Sequence, residues 1–162
     1  MKKLLVILMC LAVLVAIVSC STKKTIDATF KLGDRGYSIL MDAMMEDQKG
    51  SEDYAMMVLF SSVIEAMMKS VVKIDVTLNK AGDATISGKF DISFISDLTG
   101  TEDASDTQTR SGKYYINKDN HFIFTDEQAK DFDMGYLSED MNTLYFVIPN
   151  DEYQVTLPLD RL

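Results

Sequence analysis

The 162-residue chain is 47% hydrophobic and 25% charged, with no Trp, two Pro and a formal net charge of −9. That composition excludes a disordered, collagen-like or multiply membrane-spanning chain. Removing residues 1–19 takes away Lys2 and Lys3 but none of the 25 acidic residues, so the remainder carries −11 and is repelled by nucleic acid. Lys2 and Lys3 precede an uncharged run from Leu4 to Val18, short against the ~20 residues that cross a bilayer core. Polar residues 21–25 follow at once, so residues 1–19 read as a signal peptide and not as a span.

Ile17-Val18-Ser19-Cys20 closes that run and resembles the lipobox of bacterial lipoprotein precursors. The resemblance implies cleavage before Cys20, a diacylglycerol thioether on its sulfur and an acyl chain on the new amine. Two or more acyl chains anchor stably where one is marginal. It also implies a lipid-anchored place in the bacterial cell envelope, at the outer membrane of a diderm cell, because Ser21 stands where an Asp would argue for inner-membrane retention. Cys10 leaves with the signal peptide, so the mature chain has no free thiol, and cysteine catalysis and cysteine-ligated zinc are excluded. Residues 20–25 are then the lipidated cysteine and a short tether. Residues 26–162 form one domain, large enough to fold without disulfide or metal.

Ile26–Leu32 alternates as a short strand, and Gly33-Asp34-Arg35-Gly36 reads as a turn. Two helices follow. The first spans about Tyr37–Gln48. The second, Glu52–Lys69, is capped by Ser51, with Glu52 and Asp53 in its first turn. Its polar stripe (Ser61, Ser62, Glu65, Lys69) is so narrow that the helix is expected to be mostly buried.

Everything after Val71 reads as β-structure. Ile74–Leu78 and 86–94 form a hairpin whose dry face includes Phe90 and Phe94, and residues 96–111 read as a mobile acidic loop. Short strands follow at Lys113–Asn117, His121–Thr125, Phe132–Leu137, Thr143–Ile148 and Tyr153–Leu159. Their regular spacing favours an antiparallel meander or barrel. Parity places Tyr114, Ile116, Phe122, Phe124, Phe132, Met134, Tyr136, Leu144 and Phe146 inward, with no charge among them.

The order of signal, lipobox, short strand, Met-rich helices and then Val72-Lys73-Ile74-Asp75-Val76-Thr77-Leu78 with its Lys80–Asp83 turn resembles small bacterial lipoproteins with a lipocalin-like fold. Gly112-Lys113-Tyr114-Tyr115-Ile116 and the closing Leu157-Pro158-Leu159-Asp160-Arg161 extend the resemblance over the mature chain. It departs from true lipocalins in lacking their Gly-x-Trp signature and in placing the helices before most of the sheet. The expected fold class is α+β, with a short strand and two Met-rich helices packed on an antiparallel meander or (half-)barrel of about seven to eight strands.

Chemistry is sparse. His121, the sole histidine, has no second ligand or base at a suitable spacing and reads as a surface strand residue. No phosphate loop, H-E-x-x-H, G-x-S-x-G or calcium-loop spacing is present, so neither enzyme nor metal site is expected, and no cofactor beyond the lipid on Cys20. Seven of the nine methionines after residue 20 lie at 41–68. Eleven-residue spacing puts Met56 with Met67, and Met57 with Met68, on shared faces of the second helix. They serve either as adaptable core filler or as a pliable apolar surface.

Two functions of different class follow. One is a non-catalytic, membrane-anchored module binding an apolar or amphipathic small molecule between sheet and helices, lined by Met56, Met57, Met67, Met68, Phe90, Phe94, Tyr114, Phe122 and Phe146. The other is a structural or interaction lipoprotein with a sealed core that contacts another envelope component.

Overall fold

Period-two alternation builds the first strand, β1 (Ala28–Leu32), in which Ala28, Phe30 and Leu32 are buried and Lys31 is exposed. The computed structural model describes residues 23–91, 106–149 and 154–162. It places β1 in a closed antiparallel barrel with β2 (Val72–Leu78), β3 (Asp83–Phe90), β4 (Asp106–Ile116), β5 (His121–Thr125), β6 (Asp131–Leu137), β7 (Thr143–Pro149) and β8 (Gln154–Arg161), each strand beside its neighbour in sequence. The ring closes where β1 meets β8, with Phe30 opposite Arg161 and Leu32 opposite Leu159. Helices α1 (Asp34–Asp47), α2 (Tyr54–Leu59) and α3 (Ser61–Val71) stand between β1 and β2. The molecule is therefore α+β, and its eight-stranded barrel is consistent with a lipocalin-like fold.

Inward side chains fill the barrel. Phe30, Val76, Leu78, Ile116, Phe122, Leu144, Leu157 and Leu159 are each no more than 1% exposed. Burying a side chain of this kind contributes about 1.5–3 kcal/mol. One end is sealed by the N-terminal segment, where Lys24 and Ile116 exchange backbone hydrogen bonds of 2.9 and 2.8 Å. Beneath it the Tyr114 hydroxyl accepts from the Ile26 N–H at 2.8 Å and lies 2.6 Å from the Ile26 carbonyl and 3.0 Å from that of Asn79. The turns at 79–82, 117–120 and 138–142 share this end, and the helices and the 126–130 turn share the other. All eight strands of the closed ring lie within residues 28–161, so a chain that starts at residue 21 contains the whole barrel.

Several sequence expectations need correction. The expected single helix over Glu52–Lys69 is two, α2 and α3, joined at Phe60, whose backbone (φ −104°, ψ 12°) leaves the helical region. Nor is it mostly buried: α2 has no buried residue, and α3 has only Met68 and Val71. An open sheet would have used these helices to cover its dry face, whereas a closed barrel satisfies that face internally and leaves them the rim. Phe90, expected in the dry face, is 50% exposed because it ends β3 beyond the closed part of the ring.

The expected turn at Gly33–Gly36 opens α1 instead. Gly36 permits close passage there, since a Cβ at this position would lie 2.3 Å from Leu32 Cδ1 and 3.0 Å from the Pro158 carbonyl oxygen. Residues 106–111, expected in a loop, belong to β4 and are held by pairing with β3; having no apolar alternation, they carry no strand signal of their own. Inward parity fails in β6, where Tyr136 is exposed and Leu137 buried. A bulge shifts the β5–β6 register between His121 and Ile123, and Gly135 at φ +127° turns the chain across it. Cys20, the expected signal peptide 1–19, Ile92, Phe94, residues 96–105 and Tyr153 lie outside the described residues.

Candidate functional site at the open end of the barrel

Three strands extend past their neighbours. β2 pairs with β1 only from Asp75 to Leu78, and β4 pairs with β5 only from Lys113 to Ile116, while β3 pairs with both along its length. Val72–Ile74, Gly88–Phe90 and Asp106–Gln108 therefore form a three-stranded projection. Its inner rows are Val72, Phe90 and Asp106, then Ile74, Gly88 and Gln108. They line an open cleft of about 270 Å³, with Lys73 and Lys89 at its margins.

The space exists because Gly88 has no side chain, and a Cβ added there would meet nothing within 4 Å. Val72, Ile74 and Phe90 make the floor apolar. The Gln108 amide donates to Asp106 Oδ2 at 3.2 Å and leaves a polar wall. Lys89 pairs with Asp91 at 2.6 Å. Behind the cleft, the Tyr37 hydroxyl donates to the Val72 carbonyl at 2.7 Å and ties α1 to the start of β2. Burial, followed by the Asp75 carboxylate, pushes the Tyr37 phenol above its ordinary value.

Of the residues expected to line a cavity, Phe90 alone among those described lies on this cleft. Tyr114, Phe122, Phe146 and Met68 join the barrel core, where the Tyr114 and Phe122 rings sit 5.8 Å apart. Burial raises the Tyr114 phenol pKa, and its backbone bond at Ile26 opposes that shift. Met57 is half-buried, whereas Met56 and Met67 are exposed on separate helices. Sequence reasoning missed Val72, Ile74, Gly88, Asp106 and Gln108 as lining residues. The first three were legible as one face of the β2–β3 hairpin; the last two stand in the half of β4 that has no alternation.

His121 is a partly exposed strand residue, with Nδ1 2.7 Å from Asp133 Oδ2. Its ring lies 6.1 Å from that of Tyr136, which stacks on Tyr145 at 4.8 Å, and the Arg35 guanidinium lies 5.8 Å from the Tyr145 ring. This layered series fastens the start of α1 to the barrel wall. Among the described residues no three His, Cys, Asp or Glu side chains are grouped to hold a metal ion, and no helix is long and apolar enough to cross a membrane. No protein-family model, no curated protein and no solved structure matches this chain.

Proposed function

We propose that this protein is a non-catalytic lipoprotein of the bacterial cell envelope, anchored through Cys20, that binds an apolar or amphipathic small molecule at the open end of its barrel. The observation that carries the ligand reading is the cleft with its apolar floor of Val72, Ile74 and Phe90. Its volume, about 270 Å³, falls just below the usual range for small-molecule sites, which suits one chain or ring of a ligand and not a whole lipid. Half-exposed Phe90 is the aromatic surface against which such a group would pack.

Titrating the soluble chain 21–162 with 11-(dansylamino)undecanoate tests this. Saturable one-to-one binding is expected, and Phe90→Ala and the cleft-filling Gly88→Leu should each weaken it at least about fivefold, the cost of losing a small apolar contact. Absence of saturable binding to the parent chain would discard the ligand reading. A second reading, an interaction lipoprotein with a sealed core, is favoured by the fully packed barrel interior.

A further inference from the structure

The helices carry a feature that the cleft leaves unused. Met56, Leu59, Phe60, Val63 and Met67 are between 41% and 76% exposed. Although the backbone departs from helical angles at Phe60, the Phe60 N–H still donates to the Met56 carbonyl and the Ile64 N–H to the Phe60 carbonyl, both near 3 Å. These bonds close α2 and open α3 on the same residue, so Met56 and Leu59 of the first helix and Val63 and Met67 of the second lie on either side of a one-residue joint at Phe60. With Phe60 they form an exposed apolar ridge about that joint. Contiguous apolar surface of this kind marks an interaction site on a soluble domain, and flexible thioethers let it adapt to a partner.

The surrounding charge selects the partner. Residues 34–71 hold seven carboxylates against three cations. Those cations are engaged: Lys49 with Glu46 at 2.7 Å, Lys69 with Asp34 and Glu65 at 2.9 and 3.1 Å, and Arg35 against Tyr145. Asp42, Asp47, Glu52 and Asp53 are exposed and form no ion pair among the described residues. A second copy of this chain would bring two acidic rims together, and an anionic bilayer would meet the same repulsion. A helix with an apolar stripe flanked by Lys or Arg satisfies both the ridge and its rim.

We infer that the α2–α3 ridge is the docking site for a cationic amphipathic helix of a partner protein. This inference does not depend on the cleft. The probe is a fluorescein-labelled 14-residue Leu/Lys peptide patterned at helical spacing, compared with its Leu/Glu twin on chain 21–162. The Leu/Lys peptide should bind at least tenfold more tightly, and added salt should narrow the difference. Amide shifts should concentrate in α2 and α3. Phe60→Ser with Val63→Ser, and separately Glu52→Lys with Asp53→Lys, should each cost at least tenfold while dansyl-probe binding at the cleft is retained.

Because Phe60 and Val63 are exposed, their replacement should leave the circular dichroism spectrum intact, and the Glu52/Asp53 pair provides a second variant should it not. Equal affinity for the two peptides, or Leu/Lys binding indifferent to both pairs of substitutions, would overturn the inference. So would ridge-dependent dimerisation in sedimentation velocity, which would assign the surface to a second copy, or ridge-dependent binding to phosphatidylglycerol vesicles, which would assign it to a bilayer. Loss of dansyl binding with the peptide results preserved would count against the small-molecule reading alone.

Discussion

Gly135 is the residue on which the β5–β6 bulge turns. Its φ of +127° is a conformation L side chains rarely adopt, and a Cβ there would stand 1.9 Å from the Tyr145 carbonyl oxygen. Gly135→Ala must therefore strain the backbone and push β6 from β7 together, at a cost of at least ~2 kcal/mol. Gly88→Ala, with open space for its methyl group, should change stability by less than ~1 kcal/mol. Urea melts of the two variants check the pair, and equal midpoints would mean that the bulge does not hold the register. Phe90 shows the opposite case: it satisfies the apolar pattern of its strand but stays half exposed, because pattern specifies a face and not whether another layer covers it.

Among the elements, α1 and α2 differ most in how they are held. α1 buries Gly36, Tyr37 and Met41 against the barrel and is clipped to α3 through Lys69 and Asp34. The same lysine bonds Glu65, and these two carboxylates raise its pKa. α2 buries nothing, follows the irregular stretch 48–53 and meets α3 through Phe60 alone. Local opening is governed by such buried contacts, so the amides of α2 should exchange with deuterium at least ~100-fold faster than those of Val76, Leu144 and Leu157. Native-state exchange measured by NMR reads this directly. Matching protection in α2 would show that something covers it. The upper half of β4 is a different kind of element, made by pairing alone, with Thr85 near Ser111 and Ser87 near Thr109 across the ladder.

At the scale of the whole molecule, the two ends of the barrel are unlike. The N-terminal segment crosses and seals one end, while the cleft and the apolar ridge belong to the other. If Cys20 bears the lipid, only Ser21 and Thr22 separate it from Lys23, and so short a stretch reaches roughly 10 Å. The sealed end then faces the bilayer, and the cleft lies beyond it by a barrel height of roughly 20 Å.

Cys20→Ala should leave unprocessed precursor or protein released from membranes; processed protein that still fractionates with membranes would refute the anchor. In the lipidated chain a label at Lys118→Cys should be quenched by spin-labelled lipid more strongly than one at Gln128→Cys. The reverse order would invert the orientation.

Residue order by itself determined the β-rich second half, most strand positions, most of the inward set from Tyr114 to Phe146 and the Met-rich helical region, because alternation and helical spacing are local properties of the chain. It also carried the lipobox pattern around Cys20. Only the tertiary structure decided that the sheet closes on itself, and the further differences follow from that closure. With the dry face satisfied across the barrel, α2 and α3 keep most of their apolar side chains outside, and Tyr114, Phe122 and Phe146 become core instead of cavity wall. The cleft arises where β2, β3 and β4 outrun their neighbours, a matter of register between segments far apart in sequence. No local pattern at Asp106 or Gln108 encodes that register.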